Sequence, residues 1–326
     1  MDLDVVFLGT SGSTPTAQRA LPATLVRRGG EKLLFDCGEG TQRQLLRSDV
    51  GLVELQEIFL SHFHADHYLG LPGMLKTFAL RGRELPLTVY GPPGLRDLLQ
   101  VLRRVFGRLD YPLAAVELDP GEAIDRVGYR LETFAVDHGV SAIGYALVES
   151  ARPGRFDVAR ADALGVPDGP ARGALQRGEP VRLEDGAEVT PEQVLGPPRE
   201  GRKVVLAGDT APAGTVVEAS VGADLLVHEA TFLADERERA RETRHSTAGE
   251  AALVAREAGV RMLALTHLST RYFGHQAVEE AQELFPETVV PRDFDVVEVP
   301  FPERGEPRLV RAGARSGGAP VGSTGT

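Results

Sequence analysis

The strongest constraint on this chain is a segment of six residues, HFHADH at 62–67, which directly follows the apolar run EIFLS. In an extended segment alternate side chains point the same way, so His62 and His64 can bind one metal ion. Asp66 and His67 lie where the chain turns into a helix, and they can bind a second ion nearby. The chain has only eight histidines. Three of them within six residues therefore predict a metal site rather than an ordinary exposed loop.

Other candidate ligands also follow apolar runs. His138 comes after LETFAVD, Asp209 after KVVLAG and His267 after MLALT. Functional side chains cluster where strands end, because the connecting loops are the exposed parts of a rigid scaffold. We assign the first metal to His62, His64 and His138, the second to Asp66, His67 and His267, with Asp209 bridging them. Imidazole and carboxylate ligands without thiolate suit two divalent ions such as Zn²⁺ or Mn²⁺, and we expect Zn²⁺.

The hydrophobic pattern predicts a layered α/β fold. Short β-rich runs end in Gly, Asp, Ser or His, and helical periodicity follows several of them. Strands are predicted at 5–9, 33–36, 58–61, 87–90, 203–207, 224–227, 262–266 and 296–299, and helices at 41–47, 71–81, 94–107, 247–258 and 276–285. Two β-rich halves, each flanked by helices, indicate a sandwich of two sheets with helices outside.

Composition excludes several classes of protein. With 326 residues, 42% of them hydrophobic, the chain can bury a large core, and its one cysteine, Cys37, cannot close an intramolecular disulfide. We see neither a signal peptide nor an 18-residue apolar run, and we expect a cytoplasmic protein that is not bound to a membrane. A net charge of −11 argues against a uniformly basic surface for nucleic acid. It leaves room for a local basic patch.

The stretch 151–202 interrupts the α/β pattern with many glycines and prolines. Between residues 152 and 182 it carries six arginines against four acidic residues, a local excess of two positive charges. We interpret 152–199 as a protruding insertion within one catalytic domain, 1–311; an ordinary surface loop is the alternative. The Gly-, Ser- and Ala-rich tail, 312–326, is predicted to be disordered.

These motifs carry a resemblance. HFHADH resembles the His-x-His-x-Asp-His motif of the metallo-β-lactamase superfamily, and LAGDT around Asp209 and LTHLSTRY around His267 resemble its later motifs. Within that superfamily the chain resembles the ribonuclease Z family of tRNA 3′-processing endonucleases over nearly all of 1–300. The segments that carry this closer resemblance are FLGTSGSTPT, FDCGEGTQRQL, HEAT at 228–231 and HST at 245–247.

The resemblance implies an architecture, an activity and a substrate. It implies a four-layer αββα metallo-β-lactamase sandwich with a protruding arm, and a zinc-dependent endoribonuclease that removes the 3′ trailer from precursor tRNA. The products would be a 3′-hydroxyl on the tRNA and a 5′-phosphate on the trailer. A cytoplasmic homodimer is expected, with no DNA or membrane partner. The insertion would be the arm that binds tRNA phosphates through Arg172, Arg177 and Arg182.

It also implies roles for single residues. His245 would donate a proton to the leaving 3′-oxygen, Glu229 would orient and charge that imidazole, and Asp66 would hold or deprotonate the attacking water. Arg271 would meet a phosphate, with a purely structural role as the alternative. His228 is expected to be a supporting residue rather than a ligand, and His275 to be exposed.

One family motif is altered. Ribonucleases Z commonly carry Pro-x-Lys-x-Arg-Asn near the N-terminus, in a loop that contacts the 3′ end of the substrate. Here the stretch is Pro15-Thr16-Ala17-Gln18-Arg19-Ala20, with alanine in place of the lysine and the asparagine. The resemblance therefore does not extend to the residues that would set the cleavage position and reject a mature CCA end.

Three other functions are alternatives. A small-molecule phosphodiesterase or arylsulfatase of the same fold would keep all seven ligands but would need no arm of about 40 residues. An RNA-binding scaffold without turnover would not need an intact ligand set. A periplasmic β-lactam hydrolase would need no arm and would carry a signal peptide.

Overall fold

The structure, a computed structural model, describes residues 1–52 and 54–313. The strands are β1 (Leu3–Gly9), β2 (Ala23–Arg28), β3 (Glu31–Phe35), β4 (Glu57–Phe59), β5 (Leu87–Gly91), β6 (Leu113–Glu117), β7 (Ala123–Arg126), β8 (Tyr129–Ala135), β9 (Ile143–Glu149), β10 (Val181–Arg182), β11 (Glu188–Val189), β12 (Lys203–Leu206), β13 (Leu225–Glu229), β14 (Leu263–Thr266), β15 (Thr288–Val289), β16 (Val296–Glu298) and β17 (Arg308–Val310).

The helices are α1 (Thr41–Arg47), α2 (Ala65–Tyr68), α3 (Gly70–Leu80), α4 (Leu95–Phe106), α5 (Val158–Ala163), α6 (Pro170–Gln176), α7 (Gly214–Ser220), α8 (Arg237–Thr243), α9 (Ala248–Ala258) and α10 (Gly274–Gln282). Single 3₁₀ turns lie at Pro191–Gln193, Ala234–Glu236 and Pro302–Arg304. All eight predicted strands and all five predicted helices are present, with ends shifted by no more than a few residues.

Two large sheets form the centre. The first has the order β17–β16–β1–β2–β3–β4–β5–β6 and the second β15–β14–β13–β12–β9–β8–β7. They face each other through aromatic side chains: the Tyr145 ring meets those of Phe35 and Phe59 edge-on, at 5.4 and 5.6 Å between centroids. The hydroxyl of Tyr145 donates to the carbonyl of Leu60 at 2.8 Å, so its one polar atom is satisfied inside the core.

Helices cover the outer face of each sheet. On the first, a large apolar cluster joins strand residues such as Leu25 and Ile58 to Leu45 of α1, Leu75 of α3 and Leu99 of α4. On the second, α9 packs against β13 and β14 and is flanked by α7 and α10. The α9 face is rich in buried alanine, which allows the helix to approach the sheet closely. The predicted four-layer α/β arrangement is confirmed.

Parallel strands point their carboxyl ends at one edge of this sandwich. In the first sheet β3 and β4 are parallel, and in the second β12, β13 and β14 are parallel. The loops after these strands carry Asp36, the HFHADH segment, Asp209 and His267, and Glu229 is the last residue of β13. Ligand sites of α/β sheets form at such carboxyl ends.

Residues Arg126–Arg130 and Val148–Gly201 form a separate compact unit. Within Val148–Gly201, helices α5 and α6 and the hairpin β10–β11 together enclose a separate apolar core, formed by Ala161, Val166, Leu175, Val189 and Val194. Pro170 occupies the first turn of α6, where no amide hydrogen bond is lost. The predicted insertion is therefore a folded element rather than an irregular loop.

In the part of the chain that the structure describes, no helix is both long and apolar enough to cross a membrane. The tail predicted to be disordered lies, from residue 314 onward, outside the described residues.

Candidate active site

The first group of predicted ligands is His62, His64 and His138. The loop after β4 runs extended through His62 and His64, with φ −71° and ψ 147° at His64, before α2 begins at Ala65. His138 reaches them from the loop after β8: its Nε2 lies 3.0 Å from His64 Nδ1. All three donor atoms lie within 4.8 Å of one another. The three imidazoles can therefore bind a single ion.

The second group is Asp66, His67 and His267, and its donor atoms also lie within 4.8 Å of one another. Asp66 and His67 belong to the single turn of α2, and His267 follows β14. His267 Nε2 is 3.3 Å from both His67 Nε2 and Asp66 Oδ2. His267 has a φ of +56°, a conformation that is uncommon for a side-chain-bearing residue. It turns the imidazole back towards the sheet edge at the end of β14.

Asp209 lies against both groups. Its Oδ2 is 3.2 Å from His267 Nε2 and 3.3 Å from His67 Nε2 in the second group. It is 3.8 and 3.9 Å from His138 Nε2 and His62 Nε2 in the first. Asp209 is buried, and Gly208 before it has φ +68°, which brings the loop after β12 into the cluster. One carboxylate thus touches two imidazoles from each group.

The chemistry of the cluster fits divalent metal ions. His62 Nε2 is buried and finds no hydrogen-bond partner among the described residues, although His62 Nδ1 lies 3.0 Å from Ser61 Oγ. An unpaired buried nitrogen is destabilising unless an ion binds it. Burial, reinforced by neighbouring imidazoles, lowers the pKa of His62 and His64, which keeps both rings neutral as metal ligands must be.

Further residues hold the imidazoles in place, and sequence reasoning missed them. His67 Nδ1 is 2.8 Å from Asp36 Oδ2, His138 Nδ1 is 3.0 Å from the Arg244 carbonyl, and His267 Nδ1 is 2.8 Å from Thr231 Oγ1. Such partners fix ring orientation and leave the other nitrogen for the metal. Asp36 offered a sequence signal, since it is a carboxylate directly after the apolar run of β3. The Arg244 carbonyl offered none.

His245 and Glu229 form a pair beside the metal cluster. His245 Nδ1 is 2.7 Å from Glu229 Oε1 and 4.0 Å from Asp209 Oδ2. Burial opposes protonation of the imidazole, but Glu229 outweighs burial and raises the pKa of His245 to about 9. The other Glu229 oxygen accepts from the amide and hydroxyl of Thr231, at 3.1 and 2.5 Å. Glu229 is thus held firmly and keeps His245 charged at neutral pH.

The segment 245–247 is explained residue by residue. His245 follows Arg244, which has a left-handed φ of +55° and ends α8. Ser246 donates its hydroxyl to the carbonyl of Thr210, next to Asp209, at 2.7 Å. Thr247 caps α9 by accepting from the amide of Glu250 at 3.1 Å. The three residues end one helix, anchor the turn to the ligand loop and start the next helix.

The other predicted residues lie elsewhere. His228 is buried behind the cluster, with Nδ1 2.8 Å from the Glu229 carbonyl, and His275 is exposed. Arg271 lines a cavity of about 280 Å³ that also borders His245, but its Nη1 is bound to Glu236 at 3.0 Å. In the unit formed by Arg126–Arg130 and Val148–Gly201, Arg177 pairs with Glu179 and Arg182 is exposed.

Arg172 is engaged inside that unit. Its side chain is only 14% exposed, and its guanidinium binds Asp162, Asp168 and the carbonyl of Val166. Over the whole of 152–199 there are seven arginines against eight carboxylates, a net charge of −1. The positive excess is therefore confined to the first part of the insertion.

Comparison with known proteins identifies the family. The metallo-beta-lactamase superfamily model matches residues 20–176. The chain is 53% identical over 271 residues to the ribonuclease Z of Myxococcus xanthus, covering 83% of this chain and 88% of that protein. It is 45% identical over 302 residues to the ribonuclease Z of Methanosarcina acetivorans, covering 92% and 99%. This chain belongs to the ribonuclease Z family.

Solved structures agree with membership of the ribonuclease Z family. Human tRNase Z, short form, matches with a TM-score of 0.67 at 28% identity, covering 91% of this chain and 99% of that one. The metallo-beta-lactamase fold protein YhfI from Bacillus subtilis matches with a TM-score of 0.68 at 21% identity, covering 91% and 100%. The second likeness concerns the fold alone.

Proposed function

We propose that this ribonuclease Z family member is a metal-dependent endoribonuclease that removes the 3′ trailer from precursor tRNA. It leaves a 3′-hydroxyl on the tRNA and a 5′-phosphate on the trailer. The observation that carries the proposal is the position of His245, whose ring lies 4.8 Å from that of His138 and 5.6 Å from that of His267. A proton donor charged by Glu229 thus lies against a ligand from each group.

We assign two Zn²⁺ ions to the cluster, the first to His62, His64 and His138 and the second to Asp66, His67 and His267, with Asp209 shared. The absence of thiolate, the two groups of three donors and the unpaired His62 nitrogen support this assignment. When bound, such ions lower the pKa of water and stabilise negative charge on a phosphate.

The residues of the chain then carry the proton transfers. Asp66 orients the attacking water and accepts its proton, and the water oxygen adds to phosphorus in line with the leaving 3′-oxygen. As the bond between phosphorus and the 3′-oxygen breaks, His245 donates a proton to that oxygen from Nε2, because Nδ1 is held by Glu229. The attacking oxygen stays on the phosphate. The trailer therefore keeps the 5′-phosphate and the tRNA gains the 3′-hydroxyl.

The insertion is proposed to bind the tRNA. Because Arg172 is engaged within its own unit, we place the phosphate contacts on arginines whose side chains are exposed: Arg155, Arg160, Arg177 and Arg182. Arg271 remains a proposed phosphate contact, since it lines the cavity beside His245 and its partner Glu236 can give way to a phosphate. We also propose that the enzyme is cytoplasmic and forms a homodimer. Light scattering of the purified protein tests the homodimer.

A single set of incubations tests the function. The purified protein is mixed with 3′-extended precursor tRNA and, separately, with bis(p-nitrophenyl) phosphate, each with and without a chelator. We expect both to be cleaved and both activities to be lost with chelator, and we expect the released trailer to accept no further 5′-phosphate from a kinase until it is dephosphorylated. Cleavage of the small ester alone would contradict the proposal and favour a small-molecule phosphodiesterase.

A further inference from the structure

The loop between β1 and β2 borders the second group of ligands. Gly12 approaches His267 so closely that a Cβ atom there would lie 2.5 Å from the imidazole Nδ1. The Gly12 amide donates to the Leu268 carbonyl at 3.0 Å, and the Leu268 amide donates to the Thr10 carbonyl at 3.1 Å. The first residues of the loop are therefore joined by hydrogen bonds to the segment that carries His267.

Ser13 connects this loop to Asp66. Its amide donates to Asp66 Oδ2 at 2.8 Å, and that oxygen lies 3.3 Å from His267 Nε2. Ser13 has a φ of +55°, a conformation that persists in a non-glycine residue only when the surroundings impose it. Residues 13–18 are all exposed and provide no apolar anchor. The turn around Ser13 is closed by two hydrogen bonds, from the Ser11 hydroxyl to the Thr14 carbonyl at 2.7 Å and from the Thr14 amide to the Gly12 carbonyl at 2.6 Å. The position of this turn over Asp66 is set by the two ends of the loop.

Both ends meet at the carboxylate of Asp293. Its Oδ1 accepts from the hydroxyl of Thr10, where the loop begins, at 2.8 Å. Its Oδ2 accepts from the amide of Ala20, where the loop ends, at 2.7 Å. The same oxygen accepts from the side-chain amide of Gln44 on α1 at 2.9 Å. One carboxylate thus fixes both ends of the loop to the underlying helix.

Arg19 completes this network. Its Nη1 donates to the hydroxyl of Thr10 at 2.6 Å and to the carbonyl of Pro291 at 2.9 Å. Thr10 is wholly buried, and its hydroxyl accepts from Arg19 while it donates to Asp293. The positive charge of the half-buried guanidinium is thereby compensated by Asp293 through a single shared hydroxyl.

We propose that Arg19 and Asp293 are positioning residues for the reaction. They hold the loop in the one arrangement in which the Ser13 amide fixes the carboxylate of Asp66, without themselves touching the metal ligands. The proposal rests on the proposed function, which assigns Asp66 to the metal site and to the water. Partners that orient a ligand typically change metal affinity or activity about 10- to 100-fold, and we expect an effect at the lower end because the coupling runs through the backbone.

Two substitutions test the network. Asp293→Asn removes the charge that compensates Arg19, and Thr10→Val removes the shared hydroxyl while keeping the volume. For both variants we expect about tenfold lower kcat on bis(p-nitrophenyl) phosphate and on precursor tRNA alike, with KM nearly unchanged. Zinc affinity, measured by competition with a chromophoric chelator, should fall by a similar factor. Thr10→Ser restores the hydroxyl and should restore both quantities.

Asp4→Asn is the matched control. Asp4 of β1 also pairs with an arginine, accepting from Arg27 of β2 at 2.7 and 2.9 Å, but it lies at the start of β1, whereas the loop follows the end of that strand. It should lower thermal stability without changing kcat or zinc affinity. Wild-type kcat and zinc affinity in Thr10→Val would overturn the proposal, even if Asp293→Asn does not fold. A loss restricted to precursor tRNA would also overturn it, because the loop would then act by contacting RNA.

The same experiment separates this proposal from the proposed function. If the wild-type protein hydrolyses the small ester but leaves precursor tRNA intact, the RNA substrate is wrong. The effect of Thr10→Val on zinc affinity and on ester hydrolysis then still decides the role of the loop.

Discussion

Glu229 Oε1 lies 2.7 Å from His245 Nδ1 and also accepts from the amide of Thr210 at 2.9 Å. The carboxylate therefore fixes the proton donor and the residue next to Asp209 with one oxygen. Since Glu229 is buried and receives two further bonds from Thr231, it cannot rotate away without losing several hydrogen bonds at once. The fixed carboxylate raises the pKa of His245 and so keeps the imidazole protonated at neutral pH beside the metal cluster.

Removing the imidazole should separate two kinds of substrate. His245→Ala is expected to slow precursor-tRNA cleavage by about 10² to 10⁴, the usual contribution of a general acid. Hydrolysis of bis(p-nitrophenyl) phosphate should suffer much less, because nitrophenolate leaves without a proton. Zinc content should stay at the wild-type level. Equal losses on both substrates would show that His245 acts on the structure rather than on the leaving group.

The pKa of His245, raised to about 9, predicts an alkaline limb in the pH profile of kcat, that is, a range of high pH in which kcat falls. The acid must be protonated to act, so kcat for precursor tRNA should fall as the pH rises through about 9. The nitrophenyl ester should lack that limb. Glu229→Gln removes the charge that holds the proton, and the limb should move to lower pH. An unchanged limb in Glu229→Gln would assign it to another group.

Loss of a ligand should remove metal as well as activity. His62→Ala deletes a buried imidazole of the cluster whose Nε2 has no hydrogen-bond partner among the described residues. We expect bound zinc to fall by at least one ion per chain, and both RNA and ester cleavage to be lost together. His275→Ala, which changes an exposed histidine, is the control and should retain both. Full zinc content in His62→Ala would contradict the assignment.

Thr231 offers a further test, because its single hydroxyl donates to Glu229 at 2.5 Å and lies 2.8 Å from His267 Nδ1. Thr231→Val keeps the shape and removes these bonds, so we expect zinc affinity and kcat to fall about tenfold each. Thr231→Ser should behave like the wild type. A lower kcat with unchanged zinc affinity would show that Thr231 acts only by holding Glu229 and not by orienting His267.

The part of the site that could be predicted is the part encoded locally. The geometry of HFHADH follows from its own sequence, because alternate side chains of an extended segment point the same way, so that His62 and His64 face the same metal ion. Asp36, by contrast, reaches His67 from a neighbouring strand, and the Arg244 carbonyl reaches His138 across more than a hundred residues. A backbone carbonyl carries no side-chain signal, so only the folded chain shows it.

The fold was predictable for the same reason. Periodic patterns predicted α4 and α9 closely, because their apolar faces and caps are local features. The insertion has no regular pattern, so neither its own apolar core nor the engagement of Arg172 could be foreseen. Asp162 and Asp168 are close in sequence to Arg172, but only the turn that precedes α6 brings both carboxylates to one guanidinium.

The last prediction concerns the insertion, and the structure shows where to cut it. The Gly196 amide donates to the Arg155 carbonyl at 2.9 Å, so a two-residue turn can join these positions and replace 156–195. This deletion removes all five buried residues of the unit's apolar core, so no part of that core is left exposed. No proposed metal ligand or proton donor lies within the deleted stretch, so zinc content and ester hydrolysis should persist.

Precursor-tRNA cleavage by this deletion variant should collapse through weaker binding, seen as a raised KM at about 100 mM salt, where long-range attraction is already screened. Each lost arginine–phosphate contact should also flatten the salt dependence of binding by about one unit of slope. Arg182→Ala in the full-length chain should reproduce part of both effects. Arg108→Ala, an exposed arginine outside the insertion, should reproduce neither. Undiminished cleavage by a folded deletion variant would show that Arg160, Arg177 and Arg182 are not needed to hold the RNA, which would contradict the proposed role of this stretch in substrate binding.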